Sequence, residues 1–134
     1  MQASKDLIPA VIRELNQEDR VIFAYLYGSI AENGLGNDID VAVYSQSETD
    51  PHLLSADLKI VLQHETGLPP DLFDIRIINK LAQEGDIFSL LYLQRVLSTN
   101  FLLVDKDAEV RADFLERYGW RYRECEGLIH EVLA

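Results

Sequence analysis

The sequence predicts an α/β fold, α+β in the looser sense: a small mixed β-sheet flanked by helices, with a helical extension at its C-terminal end. Three observations point there. Apolar residues repeat with a helical period at the start, give way to β-branched and aromatic runs, and return to helical spacing between those runs. Two such runs, at 21–27 and 38–44, are joined by the short connection IAENGLGN, whose glycines and asparagines suit a turn between neighbouring strands. The chain of 134 residues is long enough to bury a core without disulfides or a structural metal, and too short for two ordinary domains.

Each element has its own signal. Leu7, Ile8, Val11, Ile12 and Leu15 outline a helix over about residues 6 to 17. Asp6 is placed to cap it, and Pro9 falls in the first turn, where a missing N–H is tolerated. The run Val21-Ile22-Phe23-Ala24-Tyr25-Leu26-Tyr27, closed by Gly28-Ser29, reads as a buried strand. Residues 30 to 37 read as a loop, and Asp38-Ile39-Asp40-Val41-Ala42-Val43-Tyr44 as the second strand. Leu53, Leu54, Leu58, Val61 and Leu62 give a second amphipathic helix, ended near Gly67 and Pro69-Pro70. In the third strand, 72 to 78, Asp74 and Arg76 share one face while Phe73, Ile75 and Ile77 share the other. A Leu- and Tyr-rich helix from about 86 to 97, a short apolar segment at 101–104 and a long helix from about Ala108 complete an order of roughly αββαβα. No internal repeat or linker interrupts it, so residues 1–134 are expected to form one unit, with a core at about 6–80 and a helical part at about 81–134.

Composition narrows the functions. Hydrophobic residues at 48% and charged residues at 26% argue against disorder. Twelve Lys and Arg stand against 23 Asp and Glu, and a net charge of −11 repels phosphate backbones, so direct nucleic-acid binding is not expected. Cys125 is alone, which excludes an intramolecular disulfide and suits a reducing compartment. No apolar run approaches the roughly 20 residues of a membrane span, and MQASKDLIPA has no secretory apolar region, so a cytoplasmic location is expected.

The chemistry concentrates at three acids and a Gly-Ser pair. Asp38 and Asp40 stand one residue apart in a strand, so both carboxylates point to one face with roughly 6–7 Å between their Cα atoms. Two like charges held side by side attract a hard cation such as Mg²⁺, which takes carboxylate oxygens and keeps positions for water and phosphate. Asp74, from a separate apolar strand, is the candidate third ligand, although it could instead pair with Arg76 on its own strand face. Gly28 at a strand end lets backbone approach a phosphate closely, and Ser29 offers an N–H and a hydroxyl to its oxygens. A nucleophilic role for Ser29 would need a base, and His52, His64 and His130 all fall on polar helix faces or near a helix end, where they read as solvated bystanders.

At these residues, Tyr27-Gly28-Ser29-Ile30-Ala31, then Asp38-Ile39-Asp40-Val41-Ala42-Val43, then Phe73-Asp74-Ile75, the chain resembles the minimal nucleotidyltransferase (MNT) domain of the polymerase-β-like superfamily. Its length, acidity and helical C-terminal part look most like the MntA-type antitoxins that pair with HEPN ribonuclease toxins. The resemblance implies a nucleotidyltransferase fold, Gly28 and Ser29 at the triphosphate, Asp38, Asp40 and Asp74 on Mg²⁺, and Asp74 helping to activate the acceptor hydroxyl. It also implies transfer of AMP from ATP to a toxin tyrosine, and a hetero-oligomer with that toxin. Eight residues, Ile30 to Asn37, separate Ser29 from Asp38, fewer than the family usually has, and the shortening bears on the shape of the nucleotide pocket.

Phe114, Tyr118, Tyr122, Cys125, Ile129 and Val132 form one helical stripe, for which core packing is the first explanation. Trp120, Arg121 and Arg123 fall off that stripe and belong to residue types enriched at interfaces, so partner contact is expected there. Two other functions stay open: a small-molecule nucleotidyltransferase, against which stands the little chain left for a dedicated pocket, and a non-catalytic antitoxin acting by occlusion.

Overall fold

The computed structural model describes residues 3–84 and 86–134. Strand β1 (Ala3–Ser4) and a 3-10 turn (Lys5–Leu7) lead into α1 (Ile8–Gln17). Then come β2 (Val21–Tyr27), α2 (Ser29–Asn33), β3 (Leu35–Gly36), β4 (Ile39–Ser45), α3 (Pro51–Thr66), a second 3-10 turn (Pro70–Leu72) and β5 (Phe73–Ile77). The rest is α4 (Leu81–Glu84), α5 (Ile87–Thr99), β6 (Phe101–Asp105), α6 (Ala108–Glu124) and α7 (Glu126–Leu133).

The main sheet has the order β5-β4-β2-β6. β2 runs antiparallel to β4 and β6, whereas β4 and β5 are parallel, so the sheet is mixed as the sequence predicts. Parallel neighbours need a crossover, and α3 supplies it. Asp50 caps α3 by accepting from His52 N and Leu53 N at 2.9 and 3.1 Å, and Gly67, at φ 72°, ends it.

Helices cover both faces of the sheet. On one, Val11 and Leu15 of α1 and Leu54, Leu58 and Leu62 of α3 pack against Leu26, Val41, Val43, Phe73 and Ile75. On the other, Leu93 and Val96 of α5 and Phe114 of α6 pack against Phe23, Tyr25, Tyr27 and Ala42. The central strands β2 and β4 are thereby buried on both sides, which is why they read as continuous apolar runs. Phe114 sits 5.6 Å from the Phe23 ring centroid and 5.3 Å from that of Tyr44, and anchors α6.

The structure departs from the sequence reading at four places. The apolar segment at 101–104 is strand β6, paired with β2 at the sheet edge. Residues 30 to 37 are not a plain loop: one helical turn, α2, ends at Gly34 with φ 82°, and β3 pairs with β1, with Lys5 N donating to Gly34 O at 3.0 Å. Ser4, not Asp6, caps the first turn, its Oγ accepting from Asp6 N at 3.3 Å. The C-terminal helix breaks at Cys125, so the stripe divides: Phe114 and Ile129 are buried, while Val132 is exposed.

Candidate active site

Strand register assembles the site. Tyr27, Asp40 and Asp74 stand side by side across β2, β4 and β5, and Tyr25, Ala42 and Arg76 form the next row on the same face. That face is the one covered by α5, since Tyr25, Tyr27 and Ala42 belong to its core. Tyr92 of α5 roofs the rows: its hydroxyl donates to the Tyr27 hydroxyl at 2.9 Å, and the two rings meet edge to face at 5.4 Å. The Arg76 guanidinium lies 4.1 Å from the Tyr92 ring centroid. One side chain thus reaches from Tyr27 on β2 to Arg76 on β5.

Electrostatics make Asp40 the most perturbed acid of the group. Burial, then the neighbouring charges of Asp74 and Asp38, push its carboxyl up to about 6, while Arg95 opposes them. Tyr27 and Tyr92 are also raised, mainly by burial, and both feel the nearby Asp74. Asp74 is exposed on β5, and Asp38 is exposed one residue before β4 begins. The alternative pairing of Asp74 with Arg76 does not form: among the described residues no carboxylate lies within ion-pair distance of Arg76.

Gly28 and Ser29 adjoin the acids. Gly28 adopts φ 79° and ψ −162°, a region essentially reserved for glycine. A Cβ there would overlap Asp40 Oδ2 and stand 3.1 Å from Asp40 Cγ, so the missing side chain is what lets β2 end against the carboxylate. Ser29, exposed, opens α2. Gly36 backs it, since a Cβ at Gly36 would come within 2.8 Å of Ser29 Cβ.

The structure therefore brings together Gly28, Asp40 and Asp74, with Ser29 beside Gly28. Asp38 lies near enough for its charge to raise Asp40, although among the described residues no three His, Cys, Asp or Glu side chains are close enough together to hold a metal ion as they stand. Trp120, Arg121 and Arg123 lie at the end of α6, with Trp120 61% exposed. Arg121 Nη1 is 3.7 Å from Glu124, and Arg123 Nε donates to Gly119 O at 3.3 Å. His52, His64 and His130 are all exposed. An open cleft of about 680 Å³ lies beside α2, lined by Lys5, Ile8, Ile30, Asn33 and Phe101 among others, and does not include the acid row.

Sequence reasoning missed Tyr27, Tyr92 and Gly36. Tyr27 carried a usable signal, because it ends the strand that abuts Gly28. Tyr92 and Gly36 reach the site only through tertiary packing.

Among the described residues no helix is long and apolar enough to cross a membrane. No curated protein matches the chain. Solved structures do, three of them at 17% identity, which bears on fold. The toxin–antitoxin MntA-HepT matches with a TM-score of 0.57 over 97% of this chain and 99% of that one. A tri-AMPylated Shewanella oneidensis HEPN toxin in complex with MNT antitoxin matches at 0.59, over 97% and 98%. A toxin-antitoxin with AMP-PNP matches at 0.59, over 96% and 98%. The family model described as polymerase beta, nucleotidyltransferase, matches residues 10–109, a span that runs from α1 through the acid row to the start of α6. The fold and that match together make the chain a member of the polymerase β nucleotidyltransferase family.

Proposed function

We propose that this chain is an antitoxin-type protein adenylyltransferase that, with Mg²⁺, transfers AMP from ATP to a tyrosine of a partner HEPN-type toxin. The observation that carries the reading is the Asp40–Asp74 pair, set in register on adjacent strands with Gly28 closed against Asp40. Support for the acceptor comes from the tri-AMPylated toxin in one of the structures this fold resembles.

The donor set is chemically suited to Mg²⁺: hard carboxylate oxygens, one of them pushed up to about 6 by burial and by the charges of Asp74 and Asp38. Asp38, Asp40 and Asp74 are the residues that would hold it. Bound Mg²⁺ would offset the acids and the triphosphate and stabilise charge on the departing pyrophosphate. Gly28 and Ser29, at the end of β2 beside Asp40, are the residues that would meet the triphosphate, with Ser29 donating to its oxygens. A tyrosine hydroxyl, with a reference pKa near 10, needs its proton drawn off as it attacks, and Asp74 on the exposed side of the row takes that part. The net charge of −11 suits a basic partner and disfavours nucleic acid. Trp120, Arg121 and Arg123 are the proposed partner contact, and the lone Cys125 supports action in the cytoplasm.

The test is intact mass. The protein is incubated, with and without Mg²⁺, with α-labelled ATP and the product of the neighbouring reading frame. A Mg²⁺-dependent gain of AMP on the neighbour, lost in Asp38→Asn, is the expected result. A stable complex without any mass gain would overturn it in favour of occlusion, a second reading that the exposed Trp120, Leu128, Val132 and Leu133 of α6 and α7 favour.

A further inference from the structure

Arg76 has no place in the reading so far, although it lies beside the acids. It is exposed on β5, two residues beyond Asp74 on the same face, and β5 is an edge strand reached from solvent. Among the described residues, Arg20 pairs with Glu18 and Asp57 and Arg111 with Asp105, whereas Arg76, like Arg95, Arg117 and Arg123, has no carboxylate within ion-pair distance. Arg76 instead stacks on Tyr92, which is itself held by its hydroxyl bond to Tyr27. Stacking orients the guanidinium plane, and among the described residues no hydrogen bond or ion pair takes its N–H edge, the geometry suited to a bidentate oxyanion.

Position decides which anion. The Gly28-Ser29 cradle closes β2, Asp40 lies on β4 between, and Arg76 lies on β5. In an in-line displacement the leaving pyrophosphate and the attacking oxygen stand on opposite sides of the α-phosphorus. With the triphosphate at the β2 side, the attacking group comes from the β5 side. Resting on the nucleotidyltransferase reading above, we propose that Arg76, clamped by Tyr92, is an acceptor-side phosphate-binding residue: it receives the phosphate of a nucleotide already transferred, whose ribose hydroxyl then accepts the next one. In that step the hydroxyl oxygen bonds to the α-phosphorus of ATP, the bond from that phosphorus to pyrophosphate breaks, and the hydroxyl proton passes to Asp74.

The experiment is calorimetric titration of AMP, and separately of adenosine, into protein saturated with Mg²⁺ and the non-hydrolysable donor AMP-CPP. AMP is expected to bind at least tenfold tighter than adenosine. Arg76→Ala should bring that ratio close to one, Tyr92→Leu should lower it, and Tyr92→Phe, which keeps the ring, should preserve it. Affinity for AMP-CPP itself, measured in the same samples, is expected to fall less than affinity for AMP. Should Arg76→Ala fail to fold by circular dichroism, Arg76→Gln takes its place. A wild-type ratio near one, a ratio unmoved by the Arg76 change, or equal losses of AMP and AMP-CPP would overturn the proposal. Failure of the wild type to bind AMP-CPP at all would instead overturn the nucleotidyltransferase reading beneath it.

Discussion

A methyl group at Gly28 tests the link between fold and site most directly. In Gly28→Ala the new side chain must hold φ 79° with ψ −162°, which costs about 1–3 kcal/mol for a non-glycine residue. It also overlaps Asp40 Oδ2, so the carboxylate must swing out of its rotamer, adding about 1 kcal/mol. The expected loss is therefore about 2–4 kcal/mol, or roughly 1–2 M in urea midpoint. The assay is urea denaturation followed by far-ultraviolet circular dichroism in EDTA, for the wild type, Gly28→Ala, Asp40→Ala and the double variant. Removing the Asp40 carboxylate relieves the overlap but not the backbone strain, so the two changes should couple by about 1 kcal/mol. A Gly28→Ala cost under about 0.5 kcal/mol, or strict additivity, would refute the reasoning, because β2 would then not be closed against the carboxylate.

Other perturbations have defined outcomes. The fold favours neutral Asp40, whose pKa rises from 3.8 to about 6. That stabilising contribution is complete below about pH 4 and lost as pH rises through 6. Asp40→Asn, neutral at every pH, should therefore be more stable than the wild type at pH 8 in EDTA. The pKa separation corresponds to about 3 kcal/mol unscreened, and solvent contact reduces this to roughly 1–2 kcal/mol. A gain that does not fade on titrating the denaturation midpoint down to pH 4 would contradict the assignment. Phe114→Ala empties a site that is 1% exposed, and should cost about 3–5 kcal/mol by thermal or urea denaturation. Asn79 Oδ1 accepts from Ser45 N at 2.8 Å and Asn79 Nδ2 donates to Ser45 O at 2.7 Å, carrying the β4 pairing past the end of β5. Asn79→Ala should cost about 1–3 kcal/mol and speed hydrogen exchange at Ser45.

Much of this fold is written in local patterns. The alternation of Phe73, Ile75 and Ile77 with Asp74 and Arg76 describes a strand with one buried and one open face, and β5 is that strand. The segment at 101–104 was not readable as a strand, because a four-residue apolar run fits a strand or a buried turn of helix equally, and only pairing with β2 settles it. Residues 30–37 were hidden for another reason. Their structure is imposed by β1, a partner more than thirty residues away in sequence, and by Gly34 at a positive φ. At the site, the identities of the acids were legible and their placement on neighbouring strands was expected, but the register that sets Asp40 beside Asp74 was not. Asp40 meets Asp74 only because α3 returns the chain with a particular register, with Asp38 near enough for its charge to reach Asp40.

That register follows from the apolar residues rather than the acids. Strand side chains alternate with period two, so sliding β5 by one residue against β4 while keeping its pairing would turn Phe73 and Ile75 out of the α1–α3 core and drive Asp74 and Arg76 into it. The penalty combines lost apolar burial, about 1.5–3 kcal/mol for each of Phe73 and Ile75, with burial of two charged groups lacking partners. Asp40 and Asp74 do not favour this choice while both are charged, since burial and then repulsion from Asp74 and Asp38 raise Asp40. The core on the face opposite to the chemistry thus holds two like charges together against their own preference, and Tyr27, Tyr92 and Arg76 lie beside them on the α5 face. An unfavourable pair held in place by packing elsewhere in the molecule is the pattern that functional sites tend to show.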